Sequence, residues 1–163
     1  KKITFRNKSE IVSKSRLSEL SQDNNYEIES FVLEPKITYQ KGSRFRTSIN
    51  SALKNKKNIN AYGGEKAEFR KLGIEATYNF ISKGRMTGGI EYISTIFSGD
   101  QRNSSPLLFD MLEGFQIGTN YTWTTGYRQS FKNNLQISIN YEGRASETSK
   151  TVHTGNMQVQ LLF

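Results

Sequence analysis

His153 is the chain's one histidine, and Ser146, Ser149, Glu142 and Glu147 precede it closely. Serine hydrolysis needs a hydroxyl within hydrogen-bond reach of an imidazole base, which a third group orients. These residue types are present, but no spacing that defines a catalytic motif accompanies them, so the chain reads as non-enzymatic. Gly84, Gly88 and Gly89 are not set in a strand-to-helix pattern, so they read as turn or close-approach positions rather than a phosphate loop. Asp100 and Asp110 lack the spacing of a calcium loop. With no cysteine, neither thiolate chemistry nor a disulfide is available. No metal or cofactor is expected.

The elements that would position these residues follow from a period of two. Leu135, Ile137, Ile139 and Tyr141 alternate with Gln136, Ser138 and Asn140. Phe115, Ile117, Thr119, Tyr121 and Trp123 alternate with Gln116, Gly118, Asn120, Thr122 and Thr124. Leu72, Ile74, Ala76, Tyr78 and Phe80 alternate with Lys71, Gly73, Glu75, Thr77 and Asn79. Gly155, Met157, Val159, Leu161 and Phe163 close the chain in the same way. Such alternation defines strands with one apolar and one polar face. Residues 2–13, 26–40, 43–54 and 85–97 give four weaker strands. In the second of these, Tyr26 and Ile28 fall on the opposite parity from Phe31, Leu33, Ile37 and Tyr39, which predicts a bulge near Glu29–Ser30. Pro35 removes a ladder hydrogen bond in the same stretch, and Ile93 and Phe97 blur the alternation in the last.

Eight strands result, joined alternately by short turns (40–43, 81–84, 128–134) and long polar loops (14–25, 55–66, 98–108, 143–150). The chain is 34% hydrophobic with mean hydropathy −0.65 and has no apolar run long enough for a helical span. A transmembrane strand needs an apolar residue only at alternate positions, so this composition suits a membrane barrel. Lys, Arg, Glu, Gln and Asn crowd one face, and the aromatics Tyr39, Phe80, Trp123, Tyr127, Phe131 and Phe163 are expected at a lipid–water boundary near the short turns. Arg6, Arg44, Arg46 and Lys71 would share the polar interior, where they would either make a pore anion-selective or pair with Glu34, Glu75 and Glu91. In an eight-stranded barrel, whose interior side chains nearly fill, packing is expected to win over conduction. The start, with neither initiator Met nor apolar leader, reads as mature or as cut from something longer.

The tail from Thr154 to Phe163 resembles the C-terminal strand of Gram-negative outer-membrane proteins, which end in Phe after apolar residues at every second position. That resemblance implies that Met157, Val159, Leu161 and Phe163 are read by the barrel-assembly machinery during insertion; Gln158 stands where the family's signal often has Gly. Tyr141-Glu142-Gly143-Arg144 and Lys150-Thr151-Val152-His153-Thr154-Gly155 resemble the endings of barrel proteins from Bacteroidota, where the barrel often belongs to a much larger chain.

The expectation is a single domain over residues 1–163: an antiparallel, transmembrane, up-and-down β-barrel of about eight strands, or the last eight strands of a larger barrel. It would serve as an anchor or scaffold in the outer membrane, its C-terminus periplasmic, in contact with outer-membrane lipid and within reach of a larger membrane complex. Net charge is +8, and Lys54, Lys56 and Lys57, with Lys14 and Arg16, are expected in outside loops. There they would meet lipopolysaccharide phosphates or stay solvated. Two alternatives remain open: part of a larger transport or translocation pore, and a soluble basic β-protein that stacks nucleic-acid bases on Tyr121 and Trp123. The barrel reading implies no nucleic-acid partner.

Overall fold

A computed structural model describes residues 1–16, 25–60, 63–81, 83–99, 106–131 and 134–161. Wherever the period of two is sustained, a strand forms: β1 (Lys2–Arg16), β2 (Tyr26–Lys41), β3 (Phe45–Asn58), β4 (Lys66–Asn79), β5 (Gly84–Ser98), β6 (Gly118–Ser130), β7 (Leu135–Ser146) and β8 (Val152–Leu161). One short helix, α1 (Pro106–Leu112), lies in the connection between β5 and β6. All eight strands join one antiparallel sheet in sequence order. Each short connection carries one residue in the left-handed region, Gly42, Lys83 or Asn134, which the tight reversal requires.

β1 pairs only with β2, and β8 only with β7. Among the described residues the eight strands therefore form an open sheet; of the two forms expected, eight strands closed on themselves is not the one observed. Both edges carry a row of backbone donors and acceptors without a strand partner, a state that sheets usually resolve by pairing or covering.

The register is unbroken from Lys2↔Gln40 to Arg16↔Tyr26, so the bulge expected near Glu29–Ser30 is absent. Tyr26 and Ile28 lie on the polar face because α1 buries them there. They form a small core with Ala67, Phe69, Ile93 and Met111, and Phe97, Leu107 and Phe115 pack against it. The same helix explains why Ile93 and Phe97 broke the alternation of β5. Phe115 and Ile117 precede β6 rather than beginning it, and Phe115 turns into this cluster. Pro35 stands opposite Asn7 of β1, but the β2·β3 ladder skips residues 34 and 35, as a missing N–H demands.

One row of register partners crosses the whole sheet: Phe5, Ile37, Ile49, Ile74, Ile90, Trp123, Gly143 and His153. It begins near the lower end of β1 and finishes next to the upper end of β8, so the strands are staggered steadily. For a rise of about 3.3 Å per residue and a strand spacing of about 4.8 Å, this stagger corresponds to a tilt of roughly 35–40°.

Candidate functional site

The two faces of the sheet differ in kind. On the face that contains the Ile74 row, β2 presents Tyr39, Ile37, Pro35, Leu33 and Phe31, and β5 presents Met86, Gly88, Ile90, Tyr92, Ser94 and Ile96. β7 presents Leu135, Ile137, Ile139, Tyr141, Gly143 and Ala145. None of these positions is charged. Among the described strand residues, charge on this face is confined to Lys41 at a short turn and to the long-loop ends, where Glu27, Glu29, Lys57, Lys66, Glu68 and Arg70 project. The neutral belt spans 9 to 11 residues on these strands, about 25 Å once tilt is included. Among the described residues, 28 large hydrophobic side chains are exposed against 8 buried hydrophobics.

Aromatic rings gather toward the short turns. Phe80 meets Tyr78 and Tyr127 edge-to-face at 5.0 and 6.4 Å, with Tyr39 and Phe131 at neighbouring strand ends. Trp123 is different, and its expected place near the short turns is corrected. β6 begins at Gly118, so Trp123 falls at mid-strand. Its indole lies across Gly143, where a Cβ would come within 2.2 Å of the ring. The indole also meets His153 edge-to-face at 6.0 Å and points Nε1 at the Tyr141 hydroxyl, 3.3 Å away. Gly143→Ala is accordingly expected to push the indole off the sheet and cost about 1–2 kcal/mol; a lower urea midpoint would verify it.

His153 Nδ1 lies 2.8 Å from the Tyr141 hydroxyl, on the apolar face. Ser146 sits on the opposite face, level with Asn120, and its Oγ accepts the backbone N–H of Ser149. Ser146 and His153 are thus held on opposite sides of the sheet. Asp100 and Phe163 lie outside the described residues. Met157, Val159 and Leu161 project to the apolar face of the edge strand, opposite Ile139, Ile137 and Leu135.

Among the described residues, the ion pairs lie on the polar face. Lys71 meets Glu91 at 3.4 Å, while Glu75 is taken by Lys36 at 2.9 Å rather than by an arginine. Lys54 and Lys56, expected in an outside loop, belong to β3 and reach Glu113 at 2.7 and 2.9 Å. Lys57, on the opposite face, stands level with Lys66 of β4. Lys14 and Arg16 are likewise strand residues, and Lys14 binds Asp110 at 2.8 Å. These contacts pin α1 across the polar face. Tyr26 adds a hydrogen bond from its hydroxyl to Asp110, and Lys56 Nζ also donates to the Asp110 carbonyl at 2.6 Å. Beside the end of α1, a cavity of about 320 Å³ is lined by Arg6, Lys36, Lys71, Glu91, Glu113 and Phe115 among others.

Asp110 is held below the ordinary carboxylate value by the Lys14 hydrogen bond, reinforced by the Tyr26 hydroxyl. Burial alone would raise the Glu113 carboxyl, but its hydrogen bonds to Lys54 and Lys56 outweigh that and lower it. Groups lowered in this way contribute stability that is complete above their unfolded values and lost as pH falls through the folded ones. The docking of α1 is therefore expected to hold at neutral pH and to loosen below the ordinary values of 4.5 and 3.8. Amide protection of residues 106–113, measured down to that range, should fall about tenfold.

Comparison with known protein families, curated proteins and solved structures found no match.

Proposed function

We propose that the chain is an eight-stranded arc of a transmembrane β-barrel wall in an outer membrane, and that further strands close the barrel around a polar lumen that α1 narrows. One observation carries this reading: an uncharged apolar belt of bilayer height lies opposite a charged face, in a sheet whose two edges are unpaired. The tilt of the strands fits a barrel wall, and the aromatics near the short turns fit the boundary between acyl chain and water. The likeness of the tail to outer-membrane endings supports the location, with the short turns and the C-terminus periplasmic.

An eight-stranded anchor would need β1 and β8 to pair and side chains to fill the interior. The open sheet and the room beside α1 favour the larger pore over that anchor. The nucleic-acid reading lacks a broad common surface: Tyr121 and Trp123 project to the apolar face, which carries Lys41, Lys57, Lys66 and Arg70 only at its ends, whereas Arg6, Arg46, Arg85, Arg128 and Arg144 project to the other. A strand of nucleic acid lying on one face cannot use both.

Planar-bilayer recording of the full-length protein tests the pore. Discrete conductance steps are expected; a bilayer that stays sealed after verified insertion sinks the pore and returns the reading to the anchor.

A further inference from the structure

The polar face is divided by charge along its length. One row runs Thr4, Thr38, Ser48, Glu75, Gly89, Thr124, Glu142 and Thr154 across all eight strands. Toward the short turns from this row, the described polar face carries Lys2, Arg46, Arg85 and Arg128 and no carboxylate. The turns themselves add Lys41, Arg44 and Lys83, and residues 35–64, 76–90 and 114–141 contain no Asp or Glu at all. Of the two carboxylates in the boundary row, Glu75 is already bonded to Lys36. Long-loop ends, by contrast, mix both signs and neutralise much of their charge in the contacts around α1.

Within the basic zone, Arg85 and Arg128 are direct partners in the register. Like charges set opposite one another, about 5 Å apart at the backbone, destabilise a sheet unless an anion lies between them. Arg85 Nε donates to Asn79 at 3.0 Å, which fixes that guanidinium at the rim and leaves its remaining N–H groups free to bind. Arg46, Thr77, Thr87 and Gly126 form the neighbouring row, so hydroxyls and bare backbone floor the space between the arginines. The Thr87 hydroxyl donates to the Gly126 carbonyl at 3.4 Å, consistent with that close approach.

We infer that the short-turn mouth of the lumen is a vestibule that gathers small oxyanions, with Arg46, Arg85 and Arg128 as the binding groups. Guanidinium groups recognise phosphate and carboxylate by paired N–H donors, and a ring of one sign at a narrow mouth sets ion preference. Cations in a low-dielectric mouth also raise the local concentration of anions ahead of passage. This inference rests on the pore reading, and its test separates the two.

The experiment is the reversal potential of the full-length protein in a planar bilayer under a potassium chloride gradient, repeated with inorganic phosphate added on one side. Chloride is expected to permeate about threefold or more better than potassium, and millimolar phosphate should reduce the chloride current. The combined variant Arg46→Gln, Arg85→Gln, Arg128→Gln should abolish both effects while conductance persists. Arg46→Glu, Arg85→Glu, Arg128→Glu should reverse the preference. Lys57→Gln, on the apolar face at the long-loop end, should leave selectivity unchanged. A pore that prefers potassium, or whose preference ignores the arginine variants, overturns the vestibule alone. A protein that inserts and never conducts removes the pore and the vestibule with it.

Discussion

Ile74→Arg is expected to lower the unfolding free energy of the vesicle-inserted protein by about 2–4 kcal/mol, the cost of arginine at the midplane of a barrel's lipid face. Ile74 lies in the row that crosses all eight strands, between Ile49 and Ile90, and is 49% exposed in the bare protein. A half-exposed position on a water-soluble sheet would accept arginine within about 0.5 kcal/mol. The two readings thus differ several-fold in one substitution. Thr124→Arg, on the polar face and opposite Glu142, is the control and should cost little. Urea titration in lipid vesicles measures both. Equal, small effects at Ile74 and Thr124 would remove the lipid from the apolar face.

Glu113→Ala should be the most damaging single change at α1, at about 2–3 kcal/mol. Removing one member of a buried ion pair typically costs about 3–5 kcal/mol, and the figure here is reduced because the Glu113 side chain is 36% exposed. Lys56 is the residue left in difficulty. Its side chain is 8% exposed, and its ammonium lies 5.5 Å from the centre of the Phe69 ring, so little water reaches it. Glu113 itself has φ of 54°, a conformation that alanine shares, so the substitution isolates the ion pairs from backbone strain. Adding Lys56→Met should recover most of the loss, because an apolar side chain no longer needs the carboxylate. If the double variant is as unstable as Glu113→Ala alone, the lysine contacts do not hold the helix. In a conducting protein in which α1 narrows the lumen as proposed, the single variant should also raise current.

Strand identity was legible wherever one face was uniformly apolar, as in Leu135–Tyr141 and Leu72–Tyr78. Strands β2 and β5 were also legible, but the faces of their residues were not where a second structure covers part of the polar face. Tyr26, Ile28, Ile93 and Phe97 break parity because α1 gives the polar face a local apolar partner, and a single strand's pattern holds no sign of that partner. The helix itself was missed because seven residues are too few for a 3.6-residue period to show. Pro106 at its first position was the available signal. The roles of Lys54 and Lys56 were misread for the same reason: β3 runs on to Asn58, and only the fold brings Glu113 to them. Closure was not legible at all, because alternation fixes faces and not neighbours. The division of charge on the polar face lay in the sequence as long acid-free stretches, but acquired meaning only when the register set Arg85 beside Arg128.

The claim on which everything else depends is that the Ile74 face meets acyl chains. Trp123 is the chain's one tryptophan and stands at mid-strand on that face, so it reports without any substitution. Its fluorescence should be measured in vesicles whose lipids carry bromine at graded acyl depths. Blue-shifted emission, quenched most strongly by deep bromines, is the predicted result. Water-like emission indifferent to bromine position, from a protein that remains soluble without detergent, would contradict the account.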